Sequence, residues 1–239
     1  MSPRPPNQYA LSFEDFAQPM LRENYVVSEA NKDAITTIDS WMQSSQLQLI
    51  LCGGPAAGKT HLASIISIEM NGTWWMDVER AVEGAGSDGA HSGALGSGGD
   101  VLIVDDAHLI DDPQLLFRLI EASKERNQRL VLVGRGQPIE WARALKDLET
   151  RLEAMPRIHV PEPDEALLLA VVEKLFADRQ LKVSPAVCKF AVPRLPRTFE
   201  AARAFVRAAE AHATENQRPI TKLLAGNVIK ALSEGTISS

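Results

Sequence analysis

The stretch Leu47–Leu62 constrains the fold more than any other part of the chain. Its first half, Leu47 to Cys52, is a short apolar run and reads as a buried parallel strand. Its second half fits the phosphate-loop pattern G-x-x-x-x-G-K-[ST], with Gly53, Gly58, Lys59 and Thr60 in the fixed places. The residues after Thr60 read as a helix, which gives the strand–loop–helix context the pattern requires. The spacing has a chemical reason. Glycines let the backbone turn tightly and bring its N–H groups against phosphate oxygens. The start of the following helix adds its positive dipole end. Lys59 is expected to neutralise the β- and γ-phosphates, and the Thr60 hydroxyl to ligate Mg²⁺. A glycine-rich turn with a chance Lys-Thr is the bland alternative, and the flanking strand and helix weigh against it.

A second stretch completes the same chemistry. Val101–Val104 is a four-residue apolar run that ends in Asp105 and Asp106. Ligands bind at the carboxyl edge of parallel sheets, where these carboxylates fall. One is expected to hold Mg²⁺ through its waters, with Asp105 the metal candidate, and the next to orient a nucleophilic water. His108 receives no role.

Around these two stretches the pattern predicts an α/β fold. Strands are expected at Leu47–Cys52, Thr73–Val78, Val101–Val104, Arg129–Val133 and Arg157–Val160, with helices between them. Residues 83–99 are almost all small and read as a surface loop. Pro161-Glu162-Pro163 is a natural boundary. Beyond it only helical patterns occur, at about 164–179, 184–192, 198–216 and 219–232. The division expected is a tail at 1–16, an α/β body at 17–161 and a helical part at 162–239. The net charge of −6 gives no general attraction to DNA or to an anionic membrane. Two cysteines, Cys52 and Cys188, lie in apolar runs and fit a reducing cytoplasm. No apolar stretch reaches the ~20 residues of a membrane span. The segment Gln8–Phe13 puts Gln8, Leu11 and Phe13 on a leader rich in proline.

The motifs carry a resemblance. The loop Gly53-Gly54-Pro-Ala-Ala-Gly58-Lys59-Thr60-His61-Leu62 resembles that of the AAA+ family of the replication initiator DnaA and its shorter Hda-type relatives. Ser12–Phe16 and Asn31–Ala34 look like the family's F-x-x-F and N-x-x-A. Asp147–Leu152 resembles its D-L-x-S-R-L element, which makes Arg151 the arginine-finger match. Leu195–Glu200 resembles its second-sensor segment, which makes Arg197 the match there. The leader resembles the Q-x-x-L-x-[LF] peptide that binds the bacterial sliding clamp.

The resemblance implies a five-stranded parallel phosphate-loop sheet with helices on both faces and a small all-helical lid. It adds Gly54 and His61 to the nucleotide-holding residues. It implies ADP or ATP with Mg²⁺, and partners in DnaA and the clamp's beta subunit, with DNA only indirectly involved, no membrane, and a homo-oligomer possible. In this reading Arg151 acts in trans on ATP held by DnaA, and the alternative for Arg151 is a surface salt bridge with Glu149 or Glu153. The chain ends shortly after the last lid helix, where DnaA continues into a DNA-binding domain, which favours the Hda-type reading. Gly134-Arg-Gly-Gln-Pro138 departs from the family's first sensor, so a polar group reading the γ-phosphate is expected to be missing and self-hydrolysis to be weak. Asp105 and Asp106 keep open an AAA+ ATPase that loads a helicase or remodels a replication factor, and a nucleotide-gated binding module is a third reading.

Overall fold

The computed structural model describes residues 20–75, 101–216 and 218–234. The Gln8–Phe13 segment and the small-residue stretch 83–99 lie outside these residues. Strand β1 (Gln48–Gly53) is buried throughout, as a strand covered on both faces must be. It is the fourth strand of a parallel sheet with β2 (Thr73–Trp75), β3 (Val101–Val104), β4 (Arg129–Gly134) and β5 (Arg157–Val160), in the order β2-β3-β4-β1-β5. Residues past Trp75 in the expected second strand are outside the described range.

Successive side chains along a strand point to opposite faces, and the two faces have separate cores. Leu49 and Leu51 pack with Ile38 and Trp41 of α1 (Lys32–Gln43) and with Leu62 and Ile66 of α2 (Lys59–Glu69). Ile50 and Cys52 pack on the other face with Leu116 and Leu119 of α3 (Pro113–Glu125) and with Leu148 and Leu152 of α4 (Lys146–Ala154). Both cysteines are free and buried.

Four more helices follow: α5 (Glu165–Asp178), α6 (Pro185–Ala191), α7 (Phe199–Asn216) and α8 (Lys222–Ser233). They enclose a third core, in which Phe176 and Phe205 meet edge to face at 6.0 Å. Side-chain oxygens set several helix starts, each satisfying an otherwise orphaned N–H. Asp112 accepts from Gln114 N at 2.8 Å, Asp164 from Leu167 N at 2.7 Å and Ser184 from Ala186 N at 3.3 Å. The last helix was expected to begin at Pro219; it begins at Lys222, because Thr221 is the residue that caps it.

Apolar residues near helical spacing predict the first helix over Glu29–Met42; it starts at Lys32. The residues before it are held as a separate lead-in. Asn31, only 3% exposed, accepts from Ser28 N at 2.7 Å and donates to the Val26 carbonyl at 2.8 Å. Arg22 clamps the lead-in to α1 through Asp39 at 2.6 Å and to α2 through Glu69 at 2.5 Å. Lys174 of α5 donates to Asn24 Oδ1 at 3.1 Å, so the same segment touches the helical part.

Candidate functional site: the phosphate loop and its surroundings

Strand β1 delivers the loop between β4 and β5, at the carboxyl edge of the sheet. Two of the loop's glycines are required for different reasons. A Cβ on Gly53 would collide with the Val160 carbonyl of β5, so β1 and β5 close up only without one. Gly58 has φ +92°, a conformation that side chains disfavour, and a Cβ there would also stand 3.1 Å from the Phe199 ring of α7. The start of α7 therefore rests on the loop. A Cβ on Gly54 would come within 2.7 Å of Glu162, in the segment joining β5 to the helical part.

Lys59 is 8% exposed and its ammonium donates to the carbonyls of Gly53 at 3.1 Å and Gly54 at 2.6 Å. Burial pushes its pKa down; nearby Arg135 pushes the same way, and Asp105 and Asp106 oppose both. Thr60 donates its hydroxyl to Asp105 Oδ2 at 3.0 Å, and Asp106 N donates to Asp105 Oδ1 at 2.8 Å. Burial pushes the Asp105 carboxyl up, against those two hydrogen bonds. The structure thus brings Asp105, and not Asp106, onto the loop. Asp106 is the exposed residue of the pair, with Oδ1 3.8 Å from His108 Nδ1. A hydroxyl and a carboxylate in contact are hard oxygen donors of the kind Mg²⁺ takes alongside substrate phosphates, so Thr60 and Asp105 fit that ion.

His61 is engaged elsewhere. Its Nε2 is 3.0 Å from the Leu21 carbonyl and its ring meets Tyr25 edge to face at 5.2 Å. Burial lowers its pKa, the Leu21 carbonyl opposes, and Arg203 adds to the lowering. Burial pushes the Tyr25 phenol up to about 12, with Asn31 opposing. A residue expected to hold nucleotide therefore fastens the lead-in to the loop helix.

The sequence reading missed Arg135. It follows β4, whose register pairs Gly134 with Cys52 and Leu132 with Val104. That places Arg135 between the loop and the Asp105 turn. Its carbonyl accepts from Trp141 Nε1 at 2.8 Å, while the Trp141 ring lies against Gly134. Its exposed guanidinium makes no hydrogen bond or ion pair among the described residues. The turn after β4, where the sequence reading expects a polar group toward the γ-phosphate to be missing, thus carries a cation. The signal available in sequence was a charged residue directly past an apolar strand.

Arg197 is exposed, two residues before Phe199, beside a cavity of about 30 Å³ with Glu165, Leu168 and Leu195. Arg151 lies on α4, its side chain 42% exposed. Its partner is neither Glu149 nor Glu153 but Glu121 of α3: Nε to Oε1 is 2.9 Å and Nη2 to Oε2 3.3 Å. Residues three or four apart share a helix face, and on α4 Leu148 and Leu152 hold the inward face. Arg151 is left at its margin, where it reaches across to α3.

Among the described residues no helix is long and apolar enough to cross a membrane. No family model matches the chain. A curated relative, a putative insertion sequence ATP-binding protein of Sinorhizobium fredii, is 30% identical over 168 residues, which are 64% of this chain and 53% of that protein. The chain thus spans about half the length of that relative. Among solved structures, domain III of the Thermotoga maritima replication initiation protein DnaA matches with TM-score 0.72 at 16% identity, over 88% of this chain and 95% of that one. AMPPCP-bound DnaA from Aquifex aeolicus matches with TM-score 0.66 at 15% identity, over 81% and 65%. The Thermotoga maritima RuvB Holliday junction branch migration motor matches with TM-score 0.67 at 18% identity, over 91% and 73%. The chain shares its fold, a parallel α/β sheet with helices, with DnaA domain III and RuvB.

Proposed function

We propose that this protein is a nucleotide-bound regulator of chromosome replication that stimulates ATP hydrolysis by DnaA. In this reading the loop grips ADP or ATP between the α/β body and the helical lid, with Lys59 against the phosphates and Thr60 and Asp105 on Mg²⁺. Gln8, Leu11 and Phe13 tether the chain to the sliding clamp. Arg151 then enters the ATP site of a neighbouring DnaA. An arginine supplied in trans can raise phosphoryl transfer by roughly 10³–10⁵-fold, because it stabilises charge in the transition state. The observation that carries this reading is the position of Arg151: a guanidinium half open to solvent on the α/β body, held among the described residues by Glu121. A second subunit can reach it without unfolding anything.

The experiment is a measurement of DnaA-bound ATP hydrolysis with clamp, DNA and this protein. Wild-type protein is expected to accelerate it. Gln8→Ala is expected to weaken clamp capture; unchanged capture returns that peptide to a plain leader.

A second reading has its own support. Thr60 donates to Asp105, a pair of oxygens that would suit a magnesium ion held by the chain itself, and a relative bears the name of an insertion sequence ATP-binding protein. Both suit an ATPase that loads or remodels a DNA-acting protein, such as a helicase. Substantial ATP turnover by the isolated protein would favour it, since the first reading expects almost none.

A further inference from the structure

Strand β5 closes on β1 with Val160 opposite Gly53. Two residues further on, Glu162 lies against the next residue of the loop. A Cβ on Gly54 would meet Glu162 Oε1 at 2.7 Å, Cγ at 3.3 Å and Cδ at 3.4 Å. The outer half of the side chain is therefore laid along the loop backbone.

The local sequence holds it there. Glu162 stands between Pro161 and Pro163. Proline fixes its own φ and confines the residue before it to extended backbone. Pro163 is buried, and Asp164 caps α5 by accepting from Leu167 N at 2.7 Å. Only residues 161–164 separate β5 from α5. Little backbone freedom is left for the carboxylate to swing off the loop.

Glu162 is exposed and makes no hydrogen bond or ion pair among the described residues. An ionised carboxylate is an acceptor only. Beside a loop that offers N–H groups and Lys59 to phosphate, its charge opposes the phosphates themselves. The favourable contact open to it is a hydroxyl or amine donor elsewhere on the same ligand.

The order of the strands says which part of the ligand that is. Along the sheet the order runs β3, β4, β1, β5. Asp105 follows β3 and Arg135 follows β4, on one side of the loop, with Thr60 donating to Asp105 at 3.0 Å. Glu162 follows β5, on the other side, three strand spacings or about 14 Å along the sheet edge from the Asp105 end. A phosphate chain with its terminal phosphate toward Thr60 and Asp105 has its first phosphate, and the sugar attached to it, toward Glu162. That sugar carries two hydroxyl donors.

We propose that Glu162 reads the sugar of the bound nucleotide, accepting from its 2′- and 3′-hydroxyls and making the loop selective for a ribonucleotide over a bare phosphate chain. The inference rests on the loop binding an adenine nucleotide, and on no protein partner.

The test uses the full chain as wild type, Glu162→Ala and Glu162→Gln. Each is titrated with ADP, 2′,3′-dideoxy-ADP, inosine diphosphate and pyrophosphate in Mg²⁺ buffer. Wild type is expected to bind ADP about tenfold or more tightly than dideoxy-ADP, the worth of a hydrogen bond to a charged group. Glu162→Ala is expected to abolish that preference through weaker ADP binding alone. It should bind pyrophosphate at least as tightly as wild type, because a negative charge beside the loop has gone. Glu162→Gln keeps an acceptor oxygen without the charge and is expected to retain part of the preference. A residue that only braces the turn would weaken every ligand together, so a loss shared by ADP, dideoxy-ADP and pyrophosphate overturns the sugar contact. A preference for ADP over dideoxy-ADP that survives Glu162→Ala also overturns it. So does a Glu162-dependent penalty that falls on inosine diphosphate instead, since that ligand lacks the exocyclic amine and the carboxylate would then read the base. If wild type binds neither ADP nor dideoxy-ADP, the nucleotide reading itself falls; if it binds both equally, only this inference falls.

Discussion

Arg151 on α4 and Glu121 on α3 face each other in a two-point ion pair, Nε to Oε1 at 2.9 Å and Nη2 to Oε2 at 3.3 Å. Lys124 shares the same carboxylate at 3.5 Å. Arg151 cannot serve a phosphate on another subunit and keep Glu121. The pair is a restraint on the proposed finger. An exposed ion pair is worth about 0.2–1 kcal/mol, so the restraint is small. Glu121→Gln is expected to shift global stability by less than about 1 kcal/mol and to raise stimulation of DnaA by up to about fivefold. Urea unfolding and the hydrolysis assay read the two effects. A large loss of stimulation would instead make Glu121 the residue that aims Arg151.

Arg135 stands at the end of β4 between the loop and Asp105. Its cation is expected to favour the nucleotide with the extra terminal phosphate. Arg135→Ala should weaken ATP several-fold and leave ADP within about twofold, since a hydrogen bond to a charged group is the interaction removed. Calorimetric titration of both nucleotides checks this. An equal loss for both would place the guanidinium elsewhere.

Asp105 couples stability to function. Its folded-state pKa is raised by burial, so the folded chain binds more protons than the unfolded one between the ordinary carboxylate value of 3.8 and that raised value. Stability is then lost as pH rises through this window. In its ionised form Asp105 destabilises the empty protein. Asp105→Asn is expected to raise the melting temperature without nucleotide and to remove most of the Mg²⁺-dependent gain in nucleotide affinity. A lower melting temperature would contradict the sign.

His61 titrates the other way. Its folded-state pKa lies below the ordinary 6.5 because it is buried against Leu21 and Tyr25 near Arg203. The unfolded chain takes up a proton first on acidification, so stability falls as pH drops below about 6.5. His61→Gln is expected to flatten this limb of the stability–pH curve. Melting temperatures of both proteins between pH 7.5 and pH 5.5, on the scale of that ordinary value, measure the difference. Parallel curves would assign the acid limb to other groups.

Much of the fold was legible because the strands are continuous apolar runs and the loop pattern has one structural context. Val101–Val104 and Arg157–Val160 were bounded correctly from sequence alone. The contact of Thr60 with Asp105 was legible because the loop pattern and the acid after an apolar strand both fall at the carboxyl edge of the sheet. The start of α1 was not, since Asn31 spends its side chain on Ser28 and Val26 rather than capping the helix. Nor were the partners of Arg151 and His61, because Glu121 and Leu21 are far away in sequence and come together only when the sheet is layered. Arg135 escaped for a related reason. A single arginine carries no periodic or motif signal, and what marks this one is that it makes no hydrogen bond or ion pair among the described residues.

The most direct test is the rate of phosphate release from DnaA–ATP in the presence of clamp, DNA and either wild-type protein or Arg151→Ala. The account predicts strong acceleration by wild type and none by the variant, with both captured equally by the clamp. Equal acceleration by the two proteins would contradict it.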